Sequence, residues 1–442
     1  MKYDFNFLIK PVVLILGLFL LVACGAVAVA YAQSASEPTR REHLLNGLKL
    51  LIWVEPKNPD VTIKLRIHSG GAFDPKGKEG VAALLADSMF PGEQTKLFFE
   101  EELGGELKVE SNQDFIEITA RGRADNFERM LDTVRNGVLN LPLTPENFKK
   151  IQAARVKMIE AESLNLSKLA DDAVRKRLFG EFFPYGRSTE GTPESLQKID
   201  RVDLIQARDR FLSSDNATLA ILGNVDPKFA VKAVKQFFGT WSKADKLVPT
   251  TFRQPDAPDK QVLIIKKPSV ERAEIRFALR GAARNSADFA AVQIAAQIMQ
   301  ERWQKSLPQE LRQNAFVRHE PHVLPGIVVF GASVEGGFAE TYLKTAQETF
   351  AKILSEPLSA DEFNRAKTVV SNDINQTSGA GVEEKWFDAD TFKLGASYNQ
   401  NNALSIVSVA QTETVIANWQ KQTPAAVAIT QAEGNQIAPN QD

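Results

Sequence analysis

Residues 142–148, with the sequence PLTPENF, recur in similar form 215 residues later as residues 357–363, with the sequence PLSADEF. Each copy contains a turn and a hydroxyl residue, Thr144 or Ser359, followed by acidic residues and a long helical pattern. Serine and threonine are favoured at the N-cap because the side-chain oxygen accepts a hydrogen bond from a free backbone N–H group. The same signal at a fixed offset indicates a duplicated unit.

The segments around the two copies also follow the same order. An amphipathic helix is predicted before each copy, at residues 127–141 and 338–354. Three segments that alternate apolar and polar residues are predicted as strands in each half. They are residues 48–54, 61–68 and 114–120 in the first half and residues 262–266, 274–279 and 326–333 in the second. With a further helix before each third strand, the order β-β-α-β-α-α appears twice.

This order predicts an α+β fold with two homologous domains, each a mainly antiparallel sheet with helices packed on one face. We expect the N-terminal domain at residues 40–241 and the C-terminal domain at residues 260–432. Residues 242–259 are rich in Pro, Lys, Asp and Thr and lack periodicity, which is typical of a linker. Residues 433–442 are polar and are predicted to form a flexible tail.

The amino-acid composition excludes several classes of protein and several kinds of site. The 442 residues are 43% hydrophobic and 24% charged, a globular mixture that excludes a disordered or multi-span membrane protein. The net charge of −2 shows no basic excess, so no nucleic-acid partner is expected. The one cysteine, Cys24, excludes an internal disulfide and a cysteine metal cluster. A site that needs several imidazoles has only His43, His68, His319 and His322 to draw on.

Residues 1–32 are interpreted as a targeting segment. Two lysines precede an uncharged run at residues 11–30, and small residues end at Ala32, which predicts a secretory signal cleaved after Ala32. The run is long enough to span a bilayer, so an uncleaved anchor is a second interpretation. In a third, LVAC at residues 21–24 resembles a bacterial lipoprotein box, and Cys24 is lipidated. All three predict export to the bacterial cell envelope, with a periplasmic location and membrane contact only through this segment.

The motifs along the rest of the chain, from about residue 45 to residue 429, resemble the pitrilysin/insulinase-type metallopeptidases, the inverzincins. Their order and spacing carry the resemblance more than any single motif. The matching motifs are NGLKL at residues 46–50, GGAF at 70–73, GVA at 80–82, PYGR at 184–187, GTPES at 191–195, NAT at 216–218, GNVD at 223–226 and FGTW at 238–241.

Active members of that family carry H-x-x-E-H on a helix after the glycine that corresponds to Gly80. The two imidazoles, one turn apart, reach one zinc ion, and the glutamate acts as general base on the metal-bound water. Aligned from Gly80, the three positions hold Ala83, Ala86 and Asp87. The resemblance therefore implies a degenerate zinc site, with no catalytic residue and no metal in this chain.

Two other positions bear on that site. The family's third zinc ligand is a glutamate on a later helix, where this chain has Glu160 or Glu162; without the histidines we interpret either one as a solvated helix residue. His68 is the histidine nearest in sequence to the degenerate motif. We interpret it as an exposed polar residue at the end of a strand.

The second domain of the family often contributes an arginine and a tyrosine, seven residues apart, that hold the substrate backbone. In this chain Arg312 matches the arginine, and His319 stands where the tyrosine is expected. The resemblance therefore implies that Arg312 and His319 are the candidate substrate-binding residues. The sequence HEPH at residues 319–322 does not predict a metal site, because its proline opposes a helix and an extended chain points its two histidines to opposite faces.

Bacterial members often occur as two homologous subunits, of which one carries H-x-x-E-H and the other has lost it. The resemblance implies that this chain is the second kind: it pairs with an H-x-x-E-H-containing subunit, which holds the zinc, and the pair encloses and hydrolyses peptides. The alternative hypothesis is a structural or assembly subunit of the same fold that processes no peptides.

Overall fold

The computed structural model describes residues 37–244, 252–336, 339–377, 381–395 and 398–432. The predicted targeting segment, the predicted tail and residues 245–251 of the predicted linker lie outside the described residues. Within the described ranges, no helix combines the length and the apolar character that a membrane span requires.

The first half of the chain forms a six-stranded sheet. Its strands are β1 (Arg40–His43), β2 (Lys49–Val54), β3 (Asp60–Ile67), β4 (Glu106–Ser111), β5 (Ile116–Arg123) and β6 (Ala217–Gly223). The spatial order is β1-β2-β6-β3-β5-β4, and every neighbouring pair except β2–β6 is antiparallel. The helices are α1 (Val81–Met89), α2 (Glu93–Glu101), α3 (Phe127–Leu139), α4 (Pro145–Glu162), α5 (Leu166–Phe179), α6 (Pro193–Lys198), α7 (Arg201–Phe211) and α8 (Pro227–Phe238).

The second half repeats this arrangement with five strands. They are β7 (Leu263–Lys267), β8 (Arg272–Arg280), β9 (Phe316–Glu320), β10 (Ile327–Glu335) and β11 (Ala425–Gln431). The spatial order β7-β11-β8-β10-β9 matches the order β2-β6-β3-β5-β4 in the first sheet. Again one pair, β7–β11, is parallel. The helices are α9 (Phe289–Ser306), α10 (Gln309–Arg312), α11 (Glu340–Ser355), α12 (Ala360–Thr377), α13 (Glu384–Thr391), α14 (Gln400–Ser405) and α15 (Val409–Gln420).

The repeated N-caps form as the sequence predicts. The Thr144 side chain accepts a hydrogen bond from the Asn147 backbone N–H at 3.1 Å at the start of α4. At the start of α12, Ser359 Oγ accepts from the Glu362 backbone N–H at 3.2 Å, and the Glu362 carboxylate accepts from the Ser359 backbone N–H at 3.1 Å. Such reciprocal bonds satisfy donors that a helix start otherwise leaves free. The α+β fold with two similar, mainly antiparallel sheets is thereby confirmed.

The halves exchange one helix each, which the repeat did not predict. Most helices cover one face of their own sheet, but α5 of the first half packs on the other face of the second sheet, where Val174 and Leu178 meet Ala278 and Val427. Reciprocally, Phe387 of α13 packs on Leu51, Trp53 and Ala220 of the first sheet. Each sheet is thus covered on both faces, and the second cover is always supplied by the other half.

Candidate functional site

The degenerate motif lies on α1, directly after Gly80. Gly80 has a φ of +99°, and its N–H and that of Ala82 donate to the Asp74 carboxylate at 2.8 and 2.9 Å. Burial raises the pKa of Asp74 to about 7, although these backbone donors act in the opposite direction. Ala83 and Ala86 are buried. The helix begins where an inverzincin helix is expected to begin, but two methyl groups stand at the positions of a zinc ligand and a general base.

An arginine occupies the space beside the third motif position. The guanidinium of Arg155, on α4, donates from Nε and Nη2 to the two oxygens of Asp87 at 2.8 and 2.7 Å. Its Nη1 donates to Glu190, and Nη2 also lies 3.4 Å from the Ala83 carbonyl oxygen. Only 8% of the Arg155 side chain is exposed. A buried, bidentate guanidinium therefore ties α1, α4 and the loop at Glu190 together.

The carboxylates near the motif are not arranged to bind a zinc ion. Both oxygens of Asp87 are bound to Arg155, whose positive charge opposes a second cation at the same place. Glu160 is exposed, and Glu162 lies 3.5 Å from the Lys168 ammonium. In the part of the chain that the structure describes, no three His, Cys, Asp or Glu side chains are grouped so that they could hold a metal ion.

A cavity of about 710 Å³ lies between the two halves. Glu190, the partner of Arg155, is part of its wall, so the cavity adjoins the degenerate motif. Charged and polar side chains dominate the lining. The cavity is lined by Asn112, Gln113, Asp114, Phe115, Asn165, Ser167, Lys168, Asp171, Asp172, Arg175, Arg187, Ser188, Thr189, Glu190, Arg284, Glu320, Pro321, His322, Asp388 and Phe392.

Hydrogen bonds between the halves close one side of this cavity. The Asp114 carboxylate, from the turn between β4 and β5, lies 2.6 Å from His322 Nδ1 and accepts from the Val323 backbone N–H at 3.2 Å. The Tyr185 hydroxyl donates to Asp114 at 3.1 Å and accepts from the Leu324 backbone N–H at 2.9 Å. Because all of these groups are buried or partly buried, the network fixes the cavity wall in one arrangement.

The predicted substrate-binding pair does not lie in this cavity. Arg312 is exposed at the end of α10, where its Nη2 donates to the backbone carbonyls of Lys305 and Leu307 at 3.2 and 3.0 Å. His319 lies on the face of its sheet that α9 covers and packs against Phe289 of that helix at a ring distance of 5.8 Å. Substrate binding by Arg312 and His319 therefore stays a prediction. Arg312 could contact a substrate only on the outer surface of the chain and not in this cavity.

The interpretation of His68 as an exposed residue is wrong. His68 follows β3, as predicted, but both ring nitrogens have partners: Nδ1 lies 2.8 Å from the Thr391 hydroxyl and Nε2 lies 3.0 Å from the Thr218 hydroxyl. Burial lowers the pKa of His68 to about 3. Thr391 belongs to α13, the helix supplied by the second half, so tertiary packing partly buries a residue that lies at the end of its own strand.

His319 makes a testable contribution to acid sensitivity. Burial lowers its pKa to about 4, and its Nε2 lies 3.2 Å from the backbone N and O atoms of Ala282. A histidine in an unfolded chain titrates near about 6.5, so between about pH 6.5 and 4 the unfolded chain binds the proton and the folded chain does not. Stability is therefore lost as the pH falls through this window. We expect His319→Gln to lose less free energy of unfolding than the wild type between about pH 7 and 4.5 in urea titrations; equal losses contradict the assignment.

Sequence reasoning missed Arg155 and Arg284, and only one of them left a signal. The buried residues of α4 are Phe148, Ile151 and Arg155, which follow the i, i+3, i+7 spacing of an apolar helix face. An arginine in such a position indicates a buried ion pair. Arg284 lies in a turn without periodicity, and its place in the cavity depends on packing alone.

Comparison with known proteins agrees with the fold. Residues 50–192 match the family model described as "Insulinase (Peptidase family M16)", and residues 198–370 match the one described as "Peptidase M16 inactive domain". The crystal structure of a peptidase M16 inactive domain from Pseudomonas fluorescens superposes with a TM-score of 0.76 at 19% identity, and the alignment covers 89% of this chain and 98% of that one.

Two curated relatives are similar over part of their length. An "Uncharacterized zinc protease" from Rickettsia bellii is 25% identical over 211 residues, which cover 46% of this chain and 50% of that protein. Subunit 1 of the mitochondrial cytochrome b-c1 complex from Bos taurus is 20% identical over 233 residues, which cover 51% of this chain and 48% of that protein. The chain thus spans about half the length of these relatives. The matches and the fold show that this chain belongs to peptidase family M16.

Proposed function

We propose that this chain is the non-catalytic subunit of an envelope peptidase: it pairs with an H-x-x-E-H-containing homologue that holds zinc, and the pair encloses peptides for hydrolysis. The observation that carries the proposal is the degenerate site itself. Asp87 is bound to Arg155, and the cavity beside them is lined mainly by charged and polar side chains. A chain that lost catalysis but kept a shaped cavity next to the old site is suited to hold a peptide for a partner's zinc.

The edge of the first sheet offers a second surface for a peptide. Among the described residues, β4 pairs only with β5, so the outer backbone groups of Glu106–Ser111 have no strand partner. This edge lies against α1, the helix of the degenerate motif. An extended peptide can add to such an edge through main-chain hydrogen bonds. Peptide binding beside α1 requires no group that this chain has lost.

Reconstitution tests the proposal. We expect the purified chain alone to retain no zinc after dialysis and to hydrolyse no peptide library. Mixed with the M16 homologue from the same organism that has an intact motif, it should form a stable complex and raise hydrolysis at least tenfold over that homologue alone. The matched control is the same mixture after the homologue's motif glutamate is changed to glutamine, which should abolish hydrolysis but not association.

A structural or assembly subunit is the second candidate. The similarity to subunit 1 of the cytochrome b-c1 complex favours it, because that protein is a component of a larger assembly. The two candidates differ in one measurement. A complex that forms with the motif-bearing homologue without any gain in hydrolysis favours the structural role and rejects the peptidase role.

A further inference from the structure

Arg284 is a buried guanidinium in the wall of the cavity between the halves. It lies in the turn after β8 and is 7% exposed. The guanidinium carbon lies 4.4 Å from the ring centre of Phe289 and 5.3 Å from that of Tyr398, so two aromatic rings hold the side chain in place. Its position on the wall is therefore fixed by packing and does not depend on a bound partner.

The charge of Arg284 is poorly matched by the protein. Its hydrogen-bond partners are the Tyr398 hydroxyl at 3.0 Å and, at 3.4 Å each, Gln400 Oε1 and Asp388 Oδ2. Asp388 is the sole carboxylate among these partners, and its other oxygen lies 3.4 Å from Arg66. Charge-assisted bonds are normally about 2.7–2.9 Å long. Arg284 thus shares one distant carboxylate with a second arginine.

The other two arginines of the cavity have closer hydrogen-bond acceptors. Arg175 lies 2.7 Å from Glu320, and Arg187 donates to the Asp74 carbonyl at 2.8 Å. Burial raises the pKa of Asp388, the one carboxylate that accepts a hydrogen bond from Arg284 among the described residues. A buried cation without a close counter-ion is costly, and an anionic ligand removes that cost.

We propose that Arg284 binds a carboxylate carried by a peptide in this cavity. The planar guanidinium is suited to a carboxylate, since two parallel N–H groups can reach its two oxygens. The inference rests on the proposal that the cavity holds peptides. A peptide offers a carboxylate either at its C-terminus or on an Asp or Glu side chain, and the two sources can be separated by experiment.

Three probe peptides test the site by calorimetric titration of the whole mature chain: acetyl-Ala-Ala-Ala-Ala with a free C-terminus, the same peptide as its C-terminal amide, and acetyl-Ala-Ala-Asp-Ala as its amide. We expect a carboxylate-bearing peptide to bind about 10- to 100-fold more tightly than the tetraalanine amide, the range for a hydrogen bond to a charged group. A preference for the free C-terminus assigns the site to chain ends, and a preference for the aspartyl peptide assigns it to side chains.

Variants locate the effect. Arg284→Gln should remove the preference, so that acid and amide bind alike. Arg272→Gln, which changes an exposed arginine on the far end of β8, should keep it. The comparison of peptides on the wild type does not depend on whether Arg284→Gln folds. Equal binding of all three peptides overturns the carboxylate site but leaves peptide binding intact, whereas absence of binding by all three rejects both proposals.

Discussion

Alanine in place of Arg276 is expected to lower the free energy of unfolding by about 3–5 kcal/mol, the range for removal of one partner from a buried ion pair. Arg276 lies on β8 and is 1% exposed. Its guanidinium donates to Asp171 at 2.6 Å and to Glu274 at 2.8 Å, and a third donor reaches the Ser167 hydroxyl at 2.7 Å.

Two of these partners belong to α5, the helix that the first half supplies. Loss of Arg276 therefore leaves the partly buried Asp171 and the buried Glu274 without one of their counter-charges, and it weakens the contact between the halves. Asp171 keeps a bond to Arg318 at 2.6 Å, which limits the loss. Burial already raises the pKa of Glu274, as expected for a carboxylate short of solvent.

Urea unfolding of the chain measures this effect, and Arg272→Ala is the matched control. Arg272 lies on the same strand, but 47% of its side chain is exposed and its partner, Glu335, is on the surface. An exposed pair contributes about 0–1 kcal/mol. If the two substitutions destabilise the protein equally, the buried network does not hold the halves together.

Restoration of the lost motif is expected to leave the chain without tightly bound zinc as long as Arg155 is present. The triple variant A83H/A86E/D87H supplies two imidazoles and a base, but it also removes the carboxylate to which Arg155 donates. A buried guanidinium then stands beside the new imidazoles and repels a divalent cation. Addition of Arg155→Glu replaces this positive charge with an oxygen ligand on α4, opposite the two imidazoles on α1. The quadruple variant is therefore expected to retain about one zinc per chain after dialysis.

Metal content and melting temperature should be measured together, because Ala83 is fully buried and a larger side chain can strain the core. Zinc should raise the melting temperature of the quadruple variant and leave that of the triple variant unchanged, since a ligand stabilises only the fold that binds it. Retention of zinc by the triple variant as tight as that of the quadruple variant would falsify the role assigned to Arg155.

Much of the fold could be predicted from the sequence because it is encoded locally. Strands β2, β3 and β5 lie within about three residues of their predicted bounds, as do β7, β8 and β10, since alternation and turn residues specify a strand without reference to distant contacts. Strands β1, β4, β6, β9 and β11 were not predicted. Strands β6 and β11 are buried on both faces, which removes the alternation.

Residue types and their spacing are sufficient to identify a duplicated M16-type fold, and they show that Ala83, Ala86 and Asp87 cannot supply two imidazoles and a base. The groups that took the place of the lost motif are visible only in the folded chain. Arg155 meets Asp87 across 68 residues, and Arg284 of the second half meets Asp388 of the exchanged helix α13 across 104 residues. Hydrogen bonds along one helix or hairpin are fixed by neighbouring residues, whereas the pairing of buried charges depends on which elements, distant in sequence, pack against each other in the folded chain.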